Sequence, residues 1–274
     1  MQVLVTEQDF YRLAITYFER AHRDGVVRAE VFFDPQAHVK RGVKEWDIVN
    51  GLTKACQYAE QSLGVEARLI LCFLRDLSED QAFDVLHRFL PYRNSYWIGI
   101  GLSSYEKGNP PEKFARVYAE CKQLGFHLVA HGGEEGTHEN VSKALDILGC
   151  SRIDHGVASV QNEALMERLA RESIPLTVCP LSNVCLRVFN DMSEHVLPEL
   201  LAHNVLATIN SDDPAYFGGY LLDNFTALFR ACPSLGPRQA YQLAKNSIEA
   251  TYADSKSKTR WIRELDQLYS VYYG

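Results

Sequence analysis

Four segments of this sequence carry unusual polar residues, among them histidines and carboxylates, in patterns that suit catalysis or metal binding. They are Gly101-Leu102-Ser103-Ser104, His131-Gly132-Gly133-Glu134-Glu135, Asp154-His155-Gly156 and Asn210-Ser211-Asp212-Asp213-Pro214. Each segment directly follows a short apolar run. If those runs are parallel strands, their C-terminal ends converge on one face, however far apart they lie in the sequence. That convergence is the reason to consider the four segments as one site.

The second segment places a histidine and a glutamate around two glycines. The functional interpretation is a metal-binding imidazole at His131 and a carboxylate at Glu134, both close to one small molecule. Gly132 and Gly133 would then let the ligand approach the backbone. The alternative is a carboxylate pair at a helix N-terminus beside an incidental histidine. The short pattern by itself leaves both interpretations open.

The adjacent carboxylates of Asp212 and Asp213 raise a question of charge. If both are buried they need a cation or hydrogen-bond donors, because otherwise one of them takes up a proton. A metal on one and a donor on the other would satisfy both, whereas the alternative is a solvated Asp-Asp-Pro turn. The role of His155 is equally undecided, because it could be a base, a metal ligand or a structural histidine.

The elements that must position these residues follow a strand–helix alternation. The apolar runs are residues 26–33, 67–74, 96–101, 127–130, 152–154, 175–179 and 206–210. Segments of helical period follow or precede them, at 6–25, 43–63, 78–90, 110–125, 141–148, 162–171 and 194–203, and the chain beyond Tyr220 also has a helical pattern. Ser78 and Gln81 form a capping box at one helix start.

About seven apolar strands alternating with helices predict a parallel sheet covered on both faces. A doubly wound open sheet and a (β/α)8 barrel both satisfy this pattern. The barrel is favoured because the polar residues follow the strands, and because no glycine-rich phosphate fingerprint follows the first strand. No linker or low-complexity stretch interrupts the pattern, so we expect a single domain over residues 1–274.

Composition narrows the class of protein. The 274 residues are 46% apolar and carry a formal net charge of −7, with no basic block, so nucleic acid is not an expected partner. No apolar run reaches the roughly 20 residues of a membrane span, and the first residues lack the pattern of a signal peptide. Seven scattered cysteines without a C-x-x-C pair indicate reduced thiols in the cytoplasm, and Cys179 and Cys185 are too far apart for a zinc knuckle.

As a set and in this order, the motifs resemble the adenosine/adenine deaminase family of metal-dependent hydrolases. The motifs are His131-Gly132-Gly133-Glu134, Arg152-Ile153-Asp154-His155-Gly156, Cys179-Pro180-Leu181-Ser182-Asn183 and Asn210-Ser211-Asp212-Asp213-Pro214-Ala215-Tyr216-Phe217. The third and fourth motifs are more similar to the adenine deaminase branch, since adenosine deaminases often have threonine at the position of Leu181. The branch commonly has aspartate at the position of Ser103, where this chain differs.

The resemblance implies a (β/α)8 barrel with one zinc ion at the C-terminal ends of its strands. By position in the motifs, His131 and Asp212 match zinc ligands. Glu134 matches the acid that protonates purine N1, and His155 matches the histidine beside the attacking water. Zinc lowers the pKa of a bound water toward about 7, which suits hydrolysis at neutral pH.

The resemblance also implies the substrate. Asp213 matches the residue that hydrogen bonds to purine N7, and Gly101 lies where the family's backbone meets the purine ring. The expected activity is zinc-dependent hydrolytic deamination of adenine to hypoxanthine and ammonia, in purine salvage. Adenosine or a modified adenine is an alternative substrate, and a non-catalytic purine-binding relative is an alternative class of protein.

One family feature is missing from this sequence. The family begins with a strand that ends in a His-x-His pair of zinc ligands, and no His-x-His occurs here. The seven units would therefore be units two to eight, whose two unpaired barrel edges predict self-association. Two remaining ligands predict weak zinc binding and slow turnover by the chain as given. A true start further upstream is the favoured explanation; a truncated non-catalytic relative and a barrel completed by association are the others.

Overall fold

Seven strands alternate with helices in a computed structural model that describes residues 2–273. The strands are β1 (Arg28–Phe33), β2 (Glu66–Leu74), β3 (Trp97–Ser103), β4 (His127–Gly132), β5 (Arg152–His155), β6 (Leu176–Val178) and β7 (Ala207–Ile209). The helices of the first half are α1 (Glu7–Arg23), α2 (Gln36–Val39), α3 (Glu45–Tyr58), α4 (Glu79–Phe89), α5 (Ala115–Gln123) and α6 (His138–Asp146). Those of the second half are α7 (Glu163–Arg171), α8 (Pro180–Cys185), α9 (Leu197–Ala202), α10 (Pro214–Phe217), α11 (Leu221–Ala231), α12 (Pro237–Glu249) and α13 (Ser255–Tyr273).

The described chain divides into two compact units, one formed by residues 2–130 and 143–150 and the other by 131–142 and 151–273. In the first unit β1 pairs in parallel with β2, β2 with β3, and β3 with β4. The middle of β2, residues 69–73, is completely buried, as expected for a parallel strand with both faces covered.

In the second unit β5 pairs with β6, and β6 with β7, also in parallel. The C-terminal end of β4 belongs to this unit, where Gly156 donates its backbone N–H to the carbonyl of Gly132 at 3.1 Å. The Asn246 side chain of α12 donates to the carbonyl of Ala207 at 2.8 Å, which fixes α12 against β7. These contacts place the ends of β4, β5, β6 and β7 in one unit.

The predicted alternation is confirmed, and the start of α4 follows the chemistry that the sequence indicates. Ser78 caps α4 through the predicted box, accepting from the backbone N–H of Gln81 at 3.2 Å. Proline opens the helical segment that begins at Pro111 as a 3₁₀ turn and continues as α5. The three helices beyond residue 220 are also present.

Three short helices, α2, α8 and α10, were not predicted, and the last two begin inside site motifs. Helix α8 begins at Pro180 and α10 begins at Pro214, with proline in the first helical position in each case. The predicted helix over 194–203 is shorter, since a 3₁₀ turn at Met192–Glu194 precedes α9. Within residues 2–273 no helix has the length and apolar character needed to cross a membrane.

Candidate active site

His131, at the end of β4, faces a buried carboxylate at the end of β5. The Nδ1 atom of His131 lies 3.4 Å from Oδ2 of Asp154, whose other oxygen accepts from the Thr177 hydroxyl at 2.8 Å. Burial disfavours a charged imidazole, but Asp154, Glu134 and Asp212 outweigh it and raise the pKa of His131 to about 9. Burial also raises the pKa of Asp154, yet His131 and Arg152 overcome this and hold it below its usual value.

Glu134 and His155 form the second pair. Oε1 of Glu134 lies 3.2 Å from Nδ1 of His155, and both side chains are largely buried, with 11% and 3% of their surfaces exposed. The side-chain nitrogen of Asn183 donates to the same Glu134 oxygen at 3.2 Å. His155 presents its other nitrogen, Nε2, toward Oδ2 of Asp212 at 4.0 Å. A carboxylate and an imidazole in contact, in a mostly dry setting, suit proton transfer.

Asp212 and Asp213 are adjacent in sequence but differ in surroundings. The Asp212 side chain is 18% exposed and faces His155. Asp213 is exposed, and its carbonyl accepts backbone N–H groups of α10 from Tyr216 and Phe217, both at 2.9 Å. The solvated-turn interpretation therefore describes Asp213 but not Asp212. Asp212 and Asp213 thus lie in different environments, which suits the different roles that the resemblance implies for them.

The side chains of His155, Cys179 and Asp212 offer ligand atoms that all lie within 4.8 Å of one another. Imidazole nitrogen, thiolate sulfur and carboxylate oxygen are the donors that zinc takes in proteins, so this donor set fits the zinc that the sequence predicts. Asp212 belongs both to this cluster and to the predicted ligand pair with His131. Burial raises the pKa of the Cys179 thiol well above its usual value, and the nearby carboxylates of Asp212 and Glu134 raise it further.

The backbone at the strand ends adopts conformations that L-residues rarely take. His155 and Asp212 have φ values of 64° and 54°, in the left-handed region. Histidine and aspartate tolerate this region better than most residues, and such strain gathers at functional sites. The left-handed conformation at His155 turns the chain at the end of β5, and that at Asp212 turns it shortly after β7.

Gly133, two residues after His131, has a packing role beside the predicted opening for a ligand, which stays a prediction. Gly133 has φ +67°, and a Cβ there would lie 2.7 Å from Cγ2 of Val141 and 3.3 Å from Cβ of Ala158. The carbonyl of Gly133 accepts the N–H of Ala158 at 2.9 Å. No side chain fits at Gly133 because this loop is folded tightly onto the chain after β5.

Gly101, the predicted contact for the purine ring, lies in β3 of the first unit. A Cβ at this position would lie 2.4 Å from Sγ of Cys72 and 3.4 Å from Cγ2 of Val129. Close packing of the strands is thus one reason for glycine here. Ser103, two residues on, donates to Oδ1 of Asp34 at 2.5 Å, so a carboxylate from the end of β1 stands beside the position at which the family's branch has aspartate.

The structure brings four of the six predicted residues together in the second unit: His131, Glu134, His155 and Asp212. It also adds residues that the sequence analysis did not assign to the site. Asp154 and Asn183 lie inside the quoted motifs, Asp154 next to His155 and Asn183 in the motif that begins at Cys179. Their place in these motifs was the signal by which the sequence could have identified them. His195 lies in the turn before α9, where no motif marks it, and only its contact with Asn183 reveals it.

Comparisons with known proteins agree with this geometry. The adenosine deaminase family profile matches residues 1–268. An adenine deaminase of Trichlorobacter lovleyi is 56% identical over 267 residues, which cover 97% of this chain and 76% of that protein.

Two solved structures share the fold. The crystal structure of an adenine deaminase from Arthrobacter aurescens matches with a TM-score of 0.96 and 44% identity, over 98% of this chain and 82% of that one. A zinc-bound amidohydrolase from Burkhoderia ambifaria matches with a TM-score of 0.91 and 27% identity, over 98% of this chain and 76% of that one. These matches confirm the predicted (β/α)8 class, of which the described residues form seven strands. The chain belongs to the adenosine deaminase family.

Proposed function

We propose that this chain catalyses the hydrolytic deamination of adenine, which yields hypoxanthine and ammonia. The observation that carries the proposal is the buried contact between Glu134 and His155, 3.2 Å apart, with Asp212 on the other side of the imidazole. Family membership and a relative named adenine deaminase at 56% identity support the same activity. The substrate class is a small-molecule purine.

We propose zinc as the metal, with His131 and Asp212 as its ligands. The convergence of imidazole, thiol and carboxylate groups around Asp212 supports a cation at this place. Asp154 supports His131 as a ligand, because a carboxylate on Nδ1 leaves Nε2 to bind a metal. When bound, the zinc supplies an ionised water at neutral pH.

The side chains then divide the proton transfers. Glu134 delivers a proton to N1 of the purine, which makes the amino-bearing carbon more electrophilic. His155, whose Nδ1 faces Glu134, receives the proton of the attacking water on Nε2, on the side toward Asp212. Asp213, which is exposed to solvent, hydrogen bonds to N7. His155 passes the proton taken from water to the amino group, which leaves as ammonia when its bond to the ring carbon breaks. The remaining proton of the former water returns to Glu134 as the ring carbonyl forms.

The test measures ammonia release from adenine, adenosine and N6-methyladenine over a range of zinc concentrations. We expect adenine to be the preferred substrate, and Glu134→Gln to reduce kcat by about 10²–10⁴-fold while the chain stays folded. Preference for adenosine or the methylated base would move the assignment to another substrate. Adenine binding that chelators do not change, without turnover at any zinc concentration, would favour a non-catalytic purine-binding protein.

Zinc affinity is a separate measurement. With His131 and Asp212 as the only matched ligands, we expect the zinc to be lost on dialysis against a chelator, since zinc sites normally have three or more protein ligands. One zinc ion retained per chain under those conditions would contradict this ligand assignment. Cys179→Ser distinguishes a set that includes the thiol, because only that set would lose further affinity.

A cytoplasmic location is part of the proposal. The seven cysteines, all within residues 2–273, are reduced thiols, and six of them are buried. Free buried thiols are typical of proteins from a reducing compartment. Labelling the protein in intact cells with a compartment-specific reagent tests this assignment.

A further inference from the structure

We propose that His195 and Asn183 are positioning residues that form a hydrogen-bond relay and fix the Glu134 carboxylate so that its Oε2 atom holds the transferable proton. The catalytic meaning of the relay rests on the proposed deamination. The relay itself is a matter of donors and acceptors within the second unit. It involves no metal and no residue from outside that unit.

The relay begins at the backbone of α9. The N–H of Leu197 lies 3.1 Å from Nδ1 of His195. A backbone N–H can only donate, so Nδ1 must accept and the ring proton of a neutral His195 must lie on Nε2. Burial lowers the pKa of His195 to about 4, which keeps the ring neutral near pH 7. The ring of Phe189, at a centroid distance of 4.8 Å, packs against the imidazole.

The second step sets the orientation of the Asn183 amide. Nε2 of His195 lies 3.4 Å from Oδ1 of Asn183, and a protonated Nε2 requires the oxygen, not the nitrogen, on that side. The Asn183 residue is completely buried, and its backbone is bonded at both ends, to the carbonyl of Cys179 and from the N–H of Val188, each at 2.9 Å. The flipped orientation would set the NH₂ group against the Nε2–H of His195 and the amide oxygen against the Glu134 carboxylate, so donor and acceptor matching selects the orientation described.

The third step reaches the catalytic pair. With its oxygen turned to His195, Asn183 donates from its NH₂ group to Oε1 of Glu134 at 3.2 Å. Nδ1 of His155 lies 3.2 Å from the same oxygen and carries the ring proton, because Nε2 must be unprotonated to accept one from water. An oxygen that faces donors on two sides is a poor position for a proton, since the proton would point at other hydrogens. The proton of a neutral Glu134 is thus placed on Oε2.

Nuclear magnetic resonance of the chain with ¹⁵N-labelled histidine and asparagine tests the relay directly. We expect His195 to be a neutral Nε2–H tautomer, and the Asn183 side-chain amide to exchange slowly with solvent. A protonated ring near pH 7, an Nδ1–H tautomer or a rapidly exchanging Asn183 amide would overturn the proposal. None of these readouts requires turnover or bound zinc.

Two substitutions at His195 separate its hydrogen bond from its bulk. His195→Gln can still donate an N–H toward Asn183, whereas His195→Phe keeps a ring but donates nothing. We expect slow exchange of the Asn183 amide to persist in the first variant and to be lost in the second. The matched control is His203→Phe, at a histidine outside the relay. If the phenylalanine variant does not fold, Asn183→Asp replaces it in the kinetic measurement, since aspartate still accepts from His195 but offers Glu134 a second carboxylate in place of an NH₂ group. We expect this variant to lower kcat at least as far as His195→Phe, and an unchanged kcat would overturn the proposal.

The kinetic readout is the separation of kcat from KM for adenine. His195→Phe should lower kcat by about 10–100-fold with KM changed less than about threefold, and His195→Gln should recover most of that loss. Equal losses in the two variants would contradict a positioning role. A wild-type chain without turnover would count against the proposed deamination, and the exchange and tautomer measurements would still decide on the relay.

Discussion

At the scale of single residues, Gly133 shows how closely the site loop is folded. Its φ of +67° alone strains an L-residue, and a Cβ would meet Val141 at 2.7 Å. Gly64 has nearly the same φ, +69°, but no atom lies within 4 Å of the position that a Cβ would take there. A substitution at Gly64 therefore measures the free-energy cost of the backbone conformation alone. The two glycines therefore allow the conformational and the steric contributions to be measured separately.

We expect Gly64→Ala to lower the free energy of unfolding by roughly 1 kcal/mol, from the left-handed conformation alone. Gly133→Ala should cost roughly 1–3 kcal/mol more, because the methyl group overpacks the space between Val141 and Ala158. Urea unfolding followed by circular dichroism measures both values. Equal effects would show that the loop yields to the added methyl group.

His195 gives a prediction about pH. Its pKa is about 4 in the folded chain against an ordinary 6.5, so between these values only the unfolded chain takes up the proton. This group therefore leaves stability unchanged above about pH 6.5 and lowers it as the pH falls toward 4. At about pH 5 the loss is about 2 kcal/mol, from the proton uptake of the unfolded chain.

The measurement compares urea unfolding at about pH 7.5 and about pH 5. The wild-type chain should lose about 2 kcal/mol more than His195→Gln between these conditions. His203→Gln controls for the substitution itself, at a histidine directly after α9. A wild-type and a His195→Gln chain that lose stability in parallel would refute the assignment of this loss to His195.

The residues that carry charge or stand at strand ends were predictable, and the neutral ones behind them were not. His131, Glu134 and Asp212 follow apolar runs, where parallel strands deliver their side chains to one place. Asn183 and His195 act through contacts set by a short helix and a 3₁₀ turn, which no periodic pattern encodes. Their roles depend on which atom of each side chain donates, and this follows from their contacts in the folded chain.

At the scale of elements, α4 shows a helix start that the sequence specifies completely. The Ser78 hydroxyl accepts from the N–H of Gln81 at 3.2 Å, and the Gln81 side chain accepts from the N–H of Ser78 at 3.0 Å. We expect Ser78→Ala to lower the free energy of unfolding by about 1 kcal/mol, because a backbone donor loses its partner. Ser95→Ala, at a serine outside any helix start, is the matched control.

Chemical denaturation of both serine variants, compared with the wild type, checks this expectation. A Ser95→Ala chain as destabilised as Ser78→Ala would show that the capping contact contributes nothing particular. The helix would then depend on the packing of its buried face, which includes Leu86 and Phe89.

Element prediction succeeded where an element is long enough to show its period. The strands of the first unit span six to nine residues, and α1 and α13 span 17 and 19. Helices α8 and α10 have six and four residues, too few for an apolar stripe, and they exist because proline presets the first turn after a strand. Each also holds the chain directly after a site residue, Cys179 in one case and Asp213 in the other.

At the scale of the whole molecule, the edge of the first unit bears on association. Strand β1 has one strand neighbour, β2, within residues 2–273. An edge strand presents backbone groups to which another chain can add. We expect the chain to associate with itself, with a sedimentation coefficient that rises with protein concentration in analytical ultracentrifugation. A concentration-independent monomer would contradict this expectation.

The distribution of the site over the molecule was not evident from the sequence. A single domain over 1–274 is the expectation from the uninterrupted alternation, and it stays a prediction. The structure divides the described chain so that His131 and Glu134 belong with the later strands, although the preceding residues of β4 belong with the earlier ones. A boundary within a strand leaves no change of composition for sequence analysis to detect.

The cysteines are distributed so that the opening rate of each unit can be measured separately. Among the seven thiols of the described chain Cys185 is exposed, while Cys56, Cys72, Cys121 and Cys150 are buried in the first unit and Cys179 and Cys232 in the second. A thiol reagent added to the native protein should modify Cys185 at once and the others only when their surroundings open. Mass spectrometry of the modified peptides would then give two sets of rates, one from each unit, without any probe being introduced. The native cysteines thus suffice to time the opening of each unit.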